Sequence, residues 1–100
     1  MQLIFHGGAQ EVGRSCIEVK TGPDRYLLDC GVKFHEAGFD YPARVFEVKE
    51  LDGVFLSHAH DDHTGALLDL SRRLAVEHVW ATPFFARSKS GARLLDALQR

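Results

Sequence analysis

The stretch FLSHAHDDHTGAL, residues 55–67, places three of the chain's six histidines and two aspartates within six positions. An apolar run leads into this cluster, so we predict a buried strand over residues 53–57. The leucines after the cluster have the spacing of one helix face, and we expect that helix to begin near Thr64: Leu67, Leu70 and Leu74. The cluster therefore lies where a strand passes into a helix.

The pattern H-x-H-x-D-H offers imidazole and carboxylate groups to a metal ion. Residues two apart in an extended segment face the same way, so His58 and His60 can present two imidazoles to one ion. Asp62 and His63 follow as the chain turns, and could bind a second ion or share a bridging water with the first. This donor set suits zinc best, with manganese or iron as alternatives, and two such ions activate water for hydrolysis. The opposing interpretation is a polar loop that is rich in histidine by accident.

The composition predicts one small globular domain, because 45% of the 100 residues are apolar and 26% are charged. Cys16 and Cys30 lie in apolar runs without zinc-finger spacing, which indicates buried free thiols. The chain opens without a signal-peptide pattern, and its apolar runs are too short to cross a bilayer. We therefore expect a soluble, cytoplasmic protein without a membrane partner.

The remaining segments complete an α/β pattern. Residues 2–5 read as an opening strand, and two β-rich runs on either side of Gly22-Pro23 read as a hairpin, which gives three antiparallel strands. Residues 32–49 lack a sustained period and read as a surface loop with at most one helical turn. A strand is expected over VEHVWATP, followed by one helix that starts at Thr82-Pro83 and continues to the end of the chain.

The segment Ser57-His58-Ala59-His60-Asp61-Asp62-His63 resembles the S/T-H-x-H-x-D-H motif of the metallo-β-lactamase superfamily. Asp29 in YLLDCG resembles the aspartate that closes a strand in the first motif of that family. Three further runs resemble the β-CASP ribonucleases, the branch of RNase J and of the polyadenylation cleavage nuclease: GGAQEVGRSCIEV (residues 7–19), LLDCGV and VWATPFFARS. Together these runs cover nearly the whole chain but only about the first quarter of a typical β-CASP enzyme.

The resemblance implies a fold and a set of site residues. The fold would be the amino-terminal half of an αββα sandwich, with residues 1–100 as a partial domain that requires its missing half. In the complete enzyme two zinc ions would be bound by four ligands: His58, His60, Asp62 and His63. Asp62 would also act in catalysis, Asp29 and Ser57 would brace the metal loop, and Glu11 and Arg14 would line the substrate mouth. His6, His35 and His78 are expected to be structural or exposed.

The implied function is a zinc-dependent ribonuclease that attacks RNA phosphodiesters with a metal-bridging hydroxide. The further ligands of the family cannot be assigned in this chain, so we expect the 100 residues alone to bind metal weakly, hydrolyse little and leave one sheet face uncovered. The complete enzyme could form a homodimer. Two alternatives stay open: a hydrolase of small thioesters or lactams, and a zinc-binding remnant without activity.

Charge adds weak support for an RNA partner. Residues 1–71 hold 6 basic and 12 acidic residues, a balance of −6, whereas residues 72–100 hold 6 and 2, a balance of +4. A positive carboxyl-terminal region suits a phosphodiester backbone. The alternative is a solvated helix face that offsets the acidic part of the chain.

Overall fold

The structure, a computed structural model, describes residues 1–58 and 60–99, and at residues 61, 62 and 84 it describes the backbone without the side chain. The strands are β1 (Gln2–Gly7), β2 (Cys16–Thr21), β3 (Asp24–Leu28), β4 (Lys33–His35), β5 (Gly38–Asp40), β6 (Leu51–Leu56) and β7 (Val76–Ala81). The helices are α1 (Asp61–Thr64), α2 (Leu67–Ser71), α3 (Pro83–Arg87) and α4 (Lys89–Leu98), with a 3₁₀ turn at Val45–Glu47. The predicted α/β class is confirmed.

A five-stranded mixed sheet in the order β1-β2-β3-β6-β7 forms the centre of the fold. The first three strands are antiparallel neighbours, as predicted, and the β2–β3 turn uses Gly22 at φ +60° followed by Pro23. Strand β3 pairs with β6 in parallel, and β6 pairs with β7 in parallel. The carboxyl ends of these three strands therefore lie at one edge of the sheet, which is where open α/β sheets bind their ligands.

One face of the sheet carries the hydrophobic core. The helices, the 3₁₀ turn and the sheet bury these apolar side chains most completely: Leu27, Val45, Val54, Leu67, Leu70 and Phe85. Both cysteines are buried free thiols, as predicted. The hydrogen bond that the Cys16 thiol donates to the Cys30 sulfur, together with burial, raises the pKa of Cys16, so this thiol stays protonated and unreactive.

The segment over residues 32–49 differs from the predicted surface loop. The expected helical turn is present at Val45–Glu47, but Val45 and Val48 are buried in the core. Strands β4 and β5, which the prediction missed, form an antiparallel hairpin closed by His35 and Gly38. Strands of three residues are too short to show a period of two, so the pattern could not reveal this hairpin.

Both predicted helices are broken in two. The first was expected to begin near Thr64, but α1 ends at that residue and α2 covers only Leu67–Ser71, which leaves Leu74 outside it. Leu67 and Leu70 are buried as expected. The second begins at Pro83 with Thr82 Oγ1 accepting from Phe85 N, as predicted, but Ser88 is extended at φ −72° and ψ 150°. Ser88 Oγ then accepts from Gly91 N at 3.0 Å and caps α4. Helix propensity does not predict such a change in chain direction. The change depends on the packing of α4 against α3.

The other face of the sheet is uncovered. Five large apolar side chains on or beside it are between 39% and 57% exposed: Leu3, Phe5, Leu28, Phe55 and Trp80. The Trp80 ring lies directly over Gly53, whose position has room for no side chain. The expectation of an uncovered sheet face therefore agrees with the structure. No helix in the described part of the chain is long and apolar enough to cross a membrane.

We predict that Gly91→Ala destabilises the protein, although the helix propensity of alanine is more favourable than that of glycine by about 1 kcal/mol. The added methyl group would lie 2.0 Å from the Phe85 carbonyl oxygen and 2.7 Å from Ser88 Oγ. The free energy of unfolding, measured by urea titration, should fall by roughly 1–3 kcal/mol.

Ser90→Ala, at an exposed position in the same turn, is the matched control and should change that free energy by less than about 0.5 kcal/mol. A Gly91→Ala protein as stable as the parent would show that α3 and α4 do not pack this closely.

Candidate metal centre

The histidine loop leaves the sheet at the carboxyl end of β6 and enters α1 within a few residues. The carbonyl oxygen of His60 accepts from His63 N at 2.9 Å and from Thr64 N at 3.1 Å, so His60 starts the helical turn. Thr64 Oγ1 also donates to this oxygen at 3.2 Å. The backbone of His60 is thus committed to the turn, while its side chain is exposed.

Asp29 holds this loop from the end of β3, the neighbouring strand. Its Oδ1 accepts from Ser57 N at 2.8 Å, and its Oδ2 accepts from Ser57 Oγ at 2.5 Å and from His63 Nδ1 at 2.8 Å. Asp29 is buried and has φ +64°, a left-handed conformation that aspartate tolerates better than most residues. The chain turns sharply there, so the carboxylate points across the sheet edge towards the histidine loop.

These hydrogen bonds determine which ring nitrogen of each histidine carries a proton. A carboxylate only accepts, so His63 donates from Nδ1 to Asp29, and in a neutral imidazole this makes Nε2 the nitrogen that can bind a metal ion. The one hydroxyl proton of Ser57 goes to Asp29, so Ser57 Oγ accepts from His58 Nδ1 at 3.1 Å. The two rings lie 4.7 Å apart, and both are in the tautomer that a metal ligand needs.

The described side chains supply part of the predicted ligand set. The rings of His58 and His63 are brought together, whereas the side chain of His60 is exposed to solvent. Ala59 and the side chain of Asp62 lie outside the described residues. Among the side chains that are described, no three His, Cys, Asp or Glu groups are arranged to hold one ion. The Nδ1-protonated imidazoles braced by a carboxylate nevertheless fit zinc, and the four-ligand assignment stays a prediction.

The loop between β1 and β2 lies at the same edge of the sheet and is organised by Glu11. Its Oε2 accepts from Gly8 N at 3.0 Å and from Arg14 Nε at 2.7 Å, and its Oε1 accepts from Lys33 Nζ at 3.2 Å. The hydrogen bond from Arg14, followed by that from the Gly8 amide, lowers the pKa of Glu11 to about 2. Arg14 also donates to the Tyr41 carbonyl at 3.3 Å. Glu11 and Arg14 therefore pair with each other at the edge of the sheet that carries the histidine loop, and their contact with a substrate stays a prediction.

The other histidines lie outside the loop. His6 and His35 are in strands where a loop was predicted, and His78 is in a strand as predicted. His35 belongs to β4 and pairs with Asp40 at 3.2 Å, while His78 is exposed on β7 beside Trp80.

His6 lies near the end of β1 and is buried. Its Nε2 contacts Glu18 Oε1 at 2.9 Å. Its Nδ1 donates to the Ala43 carbonyl at 3.2 Å, which ties the segment before the 3₁₀ turn to the sheet. Glu18 Oε2 is buried and has no hydrogen-bond partner among the described residues. This pair was not predicted from the sequence, although the alternation of side chains along β1 and β2 could have placed both on the inner face of the sheet.

Comparison with known proteins shows which family this chain resembles. Residues 9–92 match the family model described as Metallo-beta-lactamase superfamily. Three similar proteins come from Methanocaldococcus jannaschii. The Probable RNase MJ4 is 52% identical over 73 residues, covering 73% of this chain and 17% of that protein. The Transcription termination factor FttA is 41% identical, covering 72% and 12%, and an RNase J-like protein is 48% identical, covering 65% and 14%. The chain thus spans less than a fifth of the length of these relatives.

We predict that Asp29→Asn weakens zinc binding. Asparagine has the same shape, but one of its two side-chain oxygens is replaced by an NH₂ group, which donates. In one orientation this group faces the donors Ser57 Oγ and His63 Nδ1, and in the other the bond from Ser57 N is lost. His63 then loses the partner that sets its tautomer, and zinc affinity, measured by competition with a chromogenic chelator, should fall roughly 10–100-fold.

Asp52→Asn provides the matched control for this substitution. Asp52 Oδ2 accepts from Arg25 N at 2.7 Å at the opposite end of the sheet, so zinc affinity should not change. Equal affinity in the Asp29 variant and the parent would exclude the proposed bracing of the loop.

We also predict a contribution of Glu11 to acid stability. Its folded-state pKa of about 2 lies below the ordinary 4.5, so its stabilising contribution is complete above about pH 4.5 and is lost as the pH falls towards 2. Glu11→Gln should flatten the pH dependence of the free energy of unfolding in this window. Glu47→Gln, which removes the acidic partner of an exposed pair with Arg44, is the control and should leave the pH dependence of the free energy of unfolding unchanged. If Glu11→Gln also left this pH dependence unchanged, the prediction would be contradicted.

Proposed function

Since the chain belongs to the metallo-β-lactamase superfamily, we propose that it supplies the first metal-binding loop of a zinc-dependent ribonuclease of β-CASP type. The observation that carries the proposal is the network of Asp29 and Ser57 with two imidazoles. It arranges His58 and His63 as ligands at the edge of the sheet where substrates of α/β proteins bind.

The residues of this chain would divide the work as follows. Two zinc ions would be held by His58, His60, Asp62 and His63. When bound, they supply an activated water and positive charge for the oxygens of a phosphodiester. Asp29 holds the proton on His63 Nδ1, and Ser57 holds His58 in the same tautomer. The exposure of His58 and His60 leaves this loop open to a polymer from the solvent side.

Two observations support RNA as the substrate. Relatives with 52% and 48% identity are named as RNase or RNase J-like, although this chain spans only 17% and 14% of them. In addition, the described basic side chains after residue 71 are all exposed, as phosphate binding requires: Arg72, Arg73, Arg87, Lys89 and Arg93. Neither feature is needed for a hydrolase of small thioesters or lactams.

A segment exchange tests the proposal. The part of the Probable RNase of M. jannaschii that aligns with this chain is replaced by the residues of this chain, after RNA cleavage by the parent has been measured. The chimera should cleave single-stranded RNA in the presence of zinc and should not hydrolyse a β-lactam or a thioester. Combined His58→Ala and His63→Ala substitutions should reduce cleavage by at least about 100-fold, because two ligands are lost.

The exposed His78 provides the matched control, since His78→Ala removes an imidazole outside the loop and should leave cleavage unchanged. A folded chimera that cleaves RNA no faster than its His58→Ala, His63→Ala variant would contradict the proposal. Hydrolysis of the thioester or lactam in place of RNA would favour the small-molecule alternative.

A further inference from the structure

The β4–β5 hairpin exposes two aromatic side chains next to the metal loop. Phe34 and Phe39 are cross-strand partners, and 63% and 47% of their surfaces are exposed. Their ring centroids lie 6.1 Å apart with an angle of 66° between the planes. This edge-on contact leaves room against the ring faces, and contiguous exposed apolar side chains can mark an interaction site.

These two rings are supported from inside the protein. Phe39 meets Tyr41 edge-to-face at 5.2 Å, and Tyr41 meets Phe46 in the same way at 4.9 Å. The Tyr41 hydroxyl donates to Asp69 at 2.6 Å, and the Arg73 guanidinium lies 4.0 Å above the Phe46 ring. A chain of aromatic contacts therefore connects the hairpin to α2 and the turn that follows it. Preorganised rings lose little conformational entropy when they bind a partner.

The hairpin lies beside the histidine loop. Cα atoms of β4 come within 8 Å of Cα atoms of α1, the helix that contains Asp62 and His63. The segment that leads into β4 is bonded to the same region, since Cys30 N donates to the His63 carbonyl at 2.7 Å. If a phosphate of a polynucleotide lies at the histidine loop, a base of the same or a nearby nucleotide can therefore reach the hairpin.

The uncovered sheet face is the other exposed aromatic surface, and it fits a different partner. Phe55 and Trp80 stack on each other at 4.6 Å with 17° between their planes, and exposed aliphatic side chains such as Leu3 and Leu28 lie on the same sheet face. Such a broad apolar face suits packing against another layer of protein. On the hairpin, in contrast, Phe34 and Phe39 alternate with polar residues, and their faces are not stacked on each other.

We propose that Phe34 and Phe39 form a stacking platform for the nucleobases of a single-stranded nucleic acid whose backbone passes the histidine loop. The inference rests on the proposed function and names how that site holds its substrate. Base-on-ring stacking tolerates any sequence, because every base has a π-face. Positions 33–40 contain one lysine, Lys33, and two acidic residues, Glu36 and Asp40, so the platform acts by stacking rather than by charge.

Photocrosslinking tests the platform without requiring catalysis. The protein is irradiated in EDTA with a short single-stranded RNA that contains 5-iodouridine, and the crosslinked peptides are identified by mass spectrometry. Crosslinks to Phe34 or Phe39 are expected. Bound RNA that crosslinks to Phe55 or Trp80 instead, or to neither surface, would overturn the inference.

Leucine variants separate stacking from general apolar contact. In the Phe34→Leu, Phe39→Leu protein the affinity for the RNA should fall about tenfold or more, whereas an abasic oligonucleotide of the same charge should bind parent and variant equally. Phe5→Leu, on the uncovered sheet face, is the matched control and should retain parental affinity. Undiminished RNA affinity in the double variant would reject the platform and leave the hairpin as a surface for a protein partner.

These outcomes are independent of the cleavage test. Crosslinks to the hairpin together with an inactive chimera would reject the ribonuclease and retain the nucleic-acid platform. An active chimera whose RNA affinity does not depend on Phe34 and Phe39 would reject the platform alone.

Discussion

The carboxylate of Asp29 is the interaction on which the site depends. It accepts from a backbone amide, a hydroxyl and an imidazole, and thereby connects the end of β3 to the end of β6 and to α1. Hydrogen bonds to a charged group are worth about 1.5–3 kcal/mol each, more than bonds between neutral groups. One buried side chain thus sets both the position of the histidine loop and the tautomers of His58 and His63.

The arrangement works because the sheet brings separate parts of the chain to one edge. Strands β3 and β6 are parallel neighbours, so Asp29 and Ser57, which are 28 positions apart, lie within hydrogen-bond distance. The loop organised by Glu11 and the aromatic hairpin reach the same region from other strands. A rigid scaffold with functional loops at its edge is the common design of α/β proteins, and here each loop is held by polar contacts of its own.

Segments with a strong local pattern could be predicted from the sequence. The hairpin around Gly22-Pro23, the buried strand before Ser57 and the helix start at Thr82-Pro83 each depend on neighbouring residues, and all three are present. The prediction was wrong for the β4–β5 hairpin and for the unbroken helix after Pro83. Three-residue strands carry no readable period, and the extended Ser88 that separates α3 from α4 is stabilised by contacts with Phe85 and Gly91.

The sequence by itself determined the superfamily of this protein, because the spacing of His58, His60, Asp62 and His63 and the flanking runs are sufficient to identify the family that the model match confirms. Tertiary structure alone decided which groups meet: Asp29 with His63, His6 with Glu18, and Phe34 with Phe39 beside the histidine loop. The physical reason is range. The histidine motif lies within seven consecutive residues. The side chains that orient its imidazoles come from distant positions, which are brought together only by the strand register of the folded sheet.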